Sequence, residues 1–154
     1  MIALRWDNEL GAGRLQRDEH GALALDSSLE TAVLLSLFTD REATEEEIAL
    51  AGLTQQRGWW ADADSLRDPG RPRLGSKLWL LSRGKTTLET LRRAEKYAAE
   101  SLRWLVDQGI AAKVAVLATR PGSGIVSLDV TIIRPNKLLP PYKRLWEMRT
   151  DAMV

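Results

Sequence analysis

The sequence TTLETLRRAEKYAAESLRWLVDQG occupies residues 86–109 and decides the fold. Its apolar side chains recur with the 3.6-residue period of an α-helix over about five turns. They are Leu88, Leu91, Ala94 (or Glu95), Ala98, Leu102, Leu105 and Val106. Thr86 and Glu89 have the spacing of a capping box at the helix start. Gly109 stands where a left-handed residue commonly ends a helix. The pattern predicts a long amphipathic helix with one face buried.

Two strands are predicted after this helix, at Ile110–Thr119 and Ile125–Ile133, joined by a loose hairpin. The second strand alternates most clearly, which is typical of a strand with one packed and one solvated face. The predicted packed face holds Val126, Leu128, Val130 and Ile132. The predicted solvated face holds Ser127, Asp129 and Thr131.

The connection before the long helix, Arg57–Leu81, reads RGWWADADSLRDPGRPRLGSKLWLL and holds three of the six tryptophans. Tryptophans bury large areas, so they can fasten a polar, Gly/Pro-rich loop to a core. Ser76 is predicted to cap a helical turn through Leu81. Replacing Trp79 with alanine is expected to destabilise the fold by about 3–5 kcal/mol.

The first part of the chain predicts one clear helix and several short elements. The helix begins at the capping box Ser27-x-x-Glu30 and ends near Asp40. A short exposed helix follows at Glu45–Leu50. A small N-terminal β-meander is predicted from Ile2–Trp6, Arg14–Gln16 and Ala22–Leu25.

The segment after Pro135 breaks these patterns. Pro140 and Pro141 exclude a continuous strand or helix through them. The segment is therefore predicted to be an extended arm that docks on its own domain or a neighbouring subunit. The expected fold class is α+β, with a small mostly antiparallel sheet packed against two main helices and an extended C-terminal arm. The domain is expected at residues 1–135 and the arm at 136–154.

Composition narrows the functional classes. A chain of 154 residues fits one domain. Its 22 Lys and Arg nearly balance 21 Asp and Glu, which argues against strong nucleic-acid binding. With no cysteine and one histidine, a Cys-based or His-rich metal site is excluded. No apolar run reaches the roughly 18 residues of a membrane span. We expect no cofactor, no nucleic-acid partner and no membrane partner.

One enzymatic alternative stays open. Carboxylates beside tryptophans suggest a cell-wall glycoside hydrolase or a carbohydrate-binding module, here at Trp59, Trp60 and Asp62 with Asp64 nearby. Aspartates in such loops more often form turns, and no set of side chains has assignable catalytic roles. We therefore expect a protein that is not an enzyme. A regulatory adaptor that binds a host protein is a third hypothesis.

Four segments carry a resemblance to a known family. They are Leu29–Asp40, Arg57–Trp60, Gly75–Leu81 and Ala99–Val106, in this order and at similar spacing. The chain resembles the Mu-like phage baseplate proteins, within the small wedge family of contractile-tail baseplates that includes the TssE component of type VI secretion. The resemblance covers roughly Ile2 to Pro135.

This resemblance implies a structural role in the virion, in a tail baseplate assembled in the host cytoplasm. The implied partners are larger baseplate wedge subunits and the tail sheath subunit, with tail tube or hub proteins beside them. The implied action is to join wedge subunits and to template the first sheath ring by strand addition at an open sheet edge. The strand Ile125–Ile133 is the expected edge.

The expected partner interface combines these arguments. The family's Glu-Pro-Arg triplet after the long helix is absent, and Asp107 and Gln108 are expected to replace part of its contact. The arginines around Pro69 and Gly70 suit either solubility or docking on an acidic surface. The predicted interface residues are Arg67, Arg71, Arg73, Asp107, Gln108, Ser127, Asp129, Thr131, Tyr142, Leu145 and Trp146.

Overall fold

The computed structural model describes residues 1–26, 28–62 and 73–150. Two antiparallel sheets and three α-helices give a small α+β fold, which confirms the predicted fold class. Strands β1 (Leu4–Asp7) and β2 (Ala12–Leu15) form an N-terminal hairpin. The helices and the larger sheet follow in the order α1 (Glu30–Phe38), α2 (Glu45–Leu50), a 3-10 helix (Leu78–Leu81), α3 (Leu88–Asp107), β3 (Lys113–Gly122), β4 (Ile125–Ile133) and β5 (Tyr142–Arg149).

Helix α3 is the predicted long amphipathic helix, but its capping box lies one residue later than predicted. The Thr87 hydroxyl accepts a hydrogen bond from the Thr90 N–H at 3.3 Å, and the Thr90 hydroxyl accepts one from the Thr87 N–H at 3.3 Å. The Thr86 hydroxyl instead contacts the Thr150 hydroxyl at 3.2 Å in a buried position. Gly109 has φ of +72°, which confirms the predicted left-handed ending.

The three-stranded sheet has the order β3-β4-β5, with both neighbours antiparallel to β4. The expectation that Ile125–Ile133 forms an open edge is wrong, because β4 is the central strand. Its packed face is confirmed, since Val126, Leu128, Val130 and Ile132 are fully buried. On its other face Asp129 is exposed, whereas Ser127 is buried against the predicted pattern.

The predicted C-terminal arm is wrong for residues 142–149. These residues form β5, which pairs with β4 from Ile125↔Arg149 to Ile132↔Tyr142. Pro140 and Pro141 only precede the strand, and proline is tolerated outside the paired residues. The Trp146 side chain is 1% exposed and belongs to the main core.

The core lies between one face of the sheet and helices α1 and α3. An aromatic cluster joins the N-terminal strand to β5: the Trp6 and Phe38 rings stack with centroids 3.8 Å apart, and Trp146 meets Phe38 edge-on at 5.9 Å. The Trp6 indole N–H also donates to the Glu147 carbonyl at 3.1 Å. The two ends of the chain are thereby held in one core.

Helix α1 begins later than predicted and without the predicted box. Its N-cap residue is Leu29, which makes no side-chain cap, and Ser27 lies outside the described residues. The Asp26 carboxylate supplies the hydrogen bonds instead. It accepts from the Thr31 N–H at 2.8 Å and from the N–H and hydroxyl of Ser28 at 2.7 and 2.6 Å. A carboxylate at the start of a helix is stabilised by its free N–H groups.

Asp26 makes the stability of the protein depend on pH. Desolvation raises its pKa, but the hydrogen bonds from Ser28 and Thr31 outweigh this effect and lower the pKa to about 2. Because the folded pKa is depressed, the stabilisation is complete above the unfolded pKa of about 4 and is lost as the pH falls toward 2. We expect the free energy of unfolding of Asp26→Asn to change less with pH between about 2 and 6 than that of the unchanged protein. Urea unfolding across this pH range measures both. Parallel profiles for the two proteins would contradict the assignment.

The connection between α2 and α3 is fastened at residues 76–81, whereas Trp60, one of the tryptophans expected to fasten it, is 83% exposed. All four residues of the 3-10 helix Leu78–Leu81 are buried, and they divide between two clusters. The Trp79 indole N–H donates to the Arg41 carbonyl at 2.8 Å. The Ser76 hydroxyl accepts from the Leu78 N–H at 3.2 Å and donates to the Leu37 carbonyl at 2.5 Å.

Helix α2 is confirmed at its predicted position. It has a capping box of Thr44 and Glu47, and it buries Ile48. The Glu47 carboxylate lies 2.8 Å from the Lys77 ammonium, which ties α2 to the start of the 3-10 helix. The predicted third strand of the N-terminal meander is reduced to the isolated bridges Ile2↔Leu25 and Arg17↔Leu23.

Candidate functional site

The two edges of the three-stranded sheet are protected to different degrees. At the β5 edge, the Glu147 N–H donates to the Asn8 side chain at 3.4 Å, and its carbonyl accepts from Trp6. At the β3 edge, the Ala118 N–H donates to the Glu95 carboxylate at 2.9 Å. Backbone N–H and C=O groups alternate in direction along a strand. The N–H and C=O groups of Val114 and Val116 therefore point away from β4, as the Ala118 N–H does.

The residue types make β3 the less protected edge. No charged residue lies between Lys113 and Arg120. Strand β5 instead carries Lys143, Arg144, Glu147 and Arg149 in eight residues. Charged side chains on an edge strand discourage pairing with other chains. Strand β3 therefore has the features of an edge that accepts another strand.

The outer face of the sheet carries three of the predicted interface residues, Asp129, Thr131 and Leu145. The register places Leu117, Asp129 and Leu145 in one row across the three strands. Leu117 is 58% exposed and Leu145 is 51% exposed. This row presents apolar side chains to solvent around a central carboxylate, which suits contact with another protein.

Three other predicted residues are not exposed on this face. Ser127 lies on it but is buried, Trp146 is buried in the main core, and Tyr142 is half-buried on the core side beside α1. Burial raises the pKa of the Tyr142 hydroxyl, and the nearby Glu30 carboxylate raises it further. As side chains these residues support the fold. The sequence alone does not separate such roles for large aromatics.

Arg73 and Asp107 line one groove, between the end of α3 and residues 41–44, with a volume of about 900 Å³. Arg73 pairs with Glu42 at 3.5 Å, and Asp107 pairs with Arg103 at 3.8 Å. Gln108 is the exposed C-cap residue of α3 beside this groove. Arg67 and Arg71 lie outside the described residues.

The tryptophan loop holds the residues of the enzymatic alternative, Trp59, Trp60 and Asp62. Trp60 is 83% exposed, and its ring lies 6.0 Å from that of half-buried Trp59. The Asp62 carboxylate accepts from the Leu74 N–H at 3.4 Å, which is loop-ordering geometry. Asp64 lies outside the described residues.

Across residues 1–26, 28–62 and 73–150, no group of three or more His, Asp or Glu side chains has the arrangement of a metal site. Among the helices in that part of the chain, none is long and apolar enough to cross a bilayer.

Sequence reasoning missed one feature, a basic cleft of about 900 Å³ where the start of α3 meets the β3–β4 turn and the end of β5. We call it the basic cleft. Its lining residues are Ser82, Arg83, Gly84, Lys85, Thr86, Thr87, Arg120, Ser123, Gly124 and Thr150. These positions come from three separate parts of the chain, and only the fold brings them together.

These surfaces define the class of protein: a small α+β domain with an open sheet edge, an apolar outer sheet face and charged grooves, the features of a subunit that binds other proteins. Comparison with known families gives a specific assignment. The chain belongs to the phage protein GP46 family, whose model matches residues 29–138.

Two relatives extend the match to most of the chain. The chain is 41% identical to the baseplate protein gp46 of Escherichia phage Mu over 142 residues, which are 92% of each chain. It is 39% identical to the Mu-like prophage FluMu protein gp46 of Haemophilus influenzae over 135 residues, 88% of this chain and 87% of the relative. The predicted resemblance to Mu-like baseplate proteins is confirmed. The relation to the TssE component stays a prediction.

Proposed function

We propose that this protein is a structural component of a phage tail baseplate, and that β3 accepts an extended strand from a neighbouring subunit. The similarity to the phage Mu baseplate protein supports the location. The open edge of β3, which has no charged residue between Lys113 and Arg120, supports the second half of the proposal. In this function the chain joins larger wedge subunits and templates the first sheath ring in a contractile tail.

Strand addition at β3 uses backbone groups that the fold leaves outside the ladder. Val114 and Val116 provide two outward N–H and C=O pairs for an incoming strand. The next outward N–H, that of Ala118, already donates to the Glu95 carboxylate. The edge available to an added strand therefore ends before Ala118. The added strand would extend the outer sheet face beside Leu117.

The groove lined by Arg73 and Asp107 is the proposed contact with a larger wedge subunit. Its charges of both signs are partly paired within the chain, at Arg73 with Glu42 and at Asp107 with Arg103. Such pairs at a rim select a partner by complementary charge more than they add affinity. Assembly in the host cytoplasm and contact with tube or hub proteins belong to the same proposal, which includes no enzymatic step.

A proline at Val116 tests strand addition directly. Proline lacks an N–H, but the Val116 N–H points away from β4, so the internal ladder should remain intact. We expect Val116→Pro to fold normally and to lose co-purification with the sheath subunit by about tenfold or more. Co-expression followed by affinity capture measures this loss, and circular dichroism checks the fold.

The matched control is Lys143→Pro, which removes an outward N–H from the opposite edge. That variant should fold and assemble like the unchanged protein. Equal assembly losses in the two variants, or normal assembly of Val116→Pro, would overturn strand addition at β3. Absence of the unchanged protein from purified tails would overturn the baseplate assignment itself.

A further inference from the structure

We propose that the basic cleft binds an acidic segment of a neighbouring protein subunit. This inference does not depend on strand addition at β3, because it concerns another surface and other residues. It rests on the charge of the cleft, its volume and the fixed position of one of its cations.

The cleft collects positive charge that nearby carboxylates do not neutralise. Arg83, Lys85 and Arg120 line it, and its described lining includes no Asp or Glu. Among the described residues, none of these three cations forms an ion pair with a carboxylate. The chain as a whole is almost neutral, at +1. A local excess of three cations is therefore a property of this site and not of the whole surface.

The walls of the cleft can also form hydrogen bonds with carboxylates. The Arg120 guanidinium donates to the Thr86 carbonyl at 3.2 Å, which holds its planar group at the cleft. Ser82 and Ser123 also line the cleft and carry hydroxyl groups. Arginine and hydroxyl donors bind carboxylates through charge-assisted hydrogen bonds, which are stronger than neutral ones.

The size of the cleft favours a segment over a single small anion. Its volume of about 900 Å³ lies at the upper end of the range for sites that enclose a whole organic ligand. A lone phosphate would leave most of this space to water. Two or three acidic side chains on a short length of polypeptide would reach all three cations together.

The test uses a fluorescein-labelled hexapeptide with four Asp or Glu residues, and a neutral peptide in which these are Asn or Gln. Fluorescence anisotropy with the purified full chain measures both affinities at low and moderate salt. We expect the acidic peptide to bind at least about tenfold more tightly than the neutral one, with the difference shrinking as salt screens the charges.

A double variant locates the site. Arg83→Gln with Lys85→Gln removes two exposed cations of the cleft and should weaken the acidic peptide at least about tenfold. Lys137→Gln with Lys143→Gln is the matched control, because it removes the same charge near the opposite end of the sheet. That control should bind the peptide with nearly unchanged affinity. Thermal unfolding confirms that both variants fold.

Each other outcome overturns the proposal. Equal losses in the two double variants would show attraction to general surface charge. Full displacement of the peptide by inorganic phosphate at the same concentration would show a small-anion site. Tighter binding of a single-stranded oligonucleotide of equal charge through Arg83 and Lys85 would show a nucleic-acid site. Failure of the acidic peptide to bind would show that the basic cleft is not a binding site for acidic segments.

Discussion

We expect Trp146→Ala to lower the free energy of unfolding by about 3–5 kcal/mol, because it removes a large aromatic side chain from a packed core. The Trp146 side chain is 1% exposed, and its ring meets Phe38, which in turn stacks on Trp6. Alanine at position 146 leaves a cavity between β5 and α1 and weakens the contact of the N-terminal strand. Chemical denaturation followed by circular dichroism measures the loss.

Trp60→Ala is the matched control, because it makes the same chemical change at a side chain that is 83% exposed. Its expected cost is below about 1 kcal/mol, as for a surface substitution. If Trp146→Ala were as mild as Trp60→Ala, the tryptophan of β5 would not be part of the core. The assignment of β5 to the folded domain would then be wrong.

Gly75→Ala should also destabilise the protein strongly, by about 2–6 kcal/mol, because it combines backbone strain with overpacking. Gly75 has φ of +97°, a conformation that side-chain-bearing residues rarely adopt. A Cβ added there would overlap the Thr39 carbonyl oxygen. That carbonyl accepts the Ser76 N–H at 2.9 Å, so moving it disturbs the parallel bridge between Asp40 and Ser76.

Gly109→Ala separates the two causes. Gly109 has a similar positive φ of +72°, but an added Cβ meets no atom within 4 Å. Its substitution should cost only about 1–2 kcal/mol, the strain of a left-handed residue. Denaturation midpoints of the two variants measure the difference. Equal costs would show that the Thr39 overlap relaxes without consequence.

The sequence predicted the elements whose signals are local. Helix α3 carries its own period and its glycine ending at Gly109, and β4 carries its own alternation. Such patterns follow from the geometry of a single element. The exact capping residue was missed because Thr86 and Thr87 are adjacent, and only tertiary contact with Thr150 shows which of them faces the core.

Strand β5 was missed because its alternation includes a charged residue on the core side. Arg144 occupies that face between Tyr142 and Trp146. Its guanidinium pairs with Glu30 at 3.2 Å and lies 5.6 Å from the centre of a Trp146 ring. Arg144 is exposed although it lies on the core-side face of β5, so the apolar alternation is interrupted there, and its partner Glu30 on α1 is more than a hundred residues away. With β5 unrecognised, β4 was wrongly expected at the sheet edge.

The candidate surfaces also divide into those that a local sequence pattern predicts and those that depend on tertiary contacts. Asp129 and Leu145 are exposed on the outer sheet face and Thr131 is half-buried there, although Leu145 reaches this face by strand pairing and not on an arm. The open edge of β3 and the basic cleft depend on strand order and on contacts between distant segments. Neither property belongs to one stretch of sequence.

The hydrogen bond between Trp6 and Glu147 has a consequence for synthesis on the ribosome. Strand β1 is translated well before β5, which supplies the third strand of the sheet and the Trp146 ring that meets Phe38. Closing a loop of this length is slow relative to local helix formation. In the nascent chain, Trp6 and Phe38 therefore lack their contacts with Glu147 and Trp146 until β5 has left the ribosome. A chain terminated early would lack the strand that completes the core, and such a product would be a substrate for cellular proteases before it could enter an assembly.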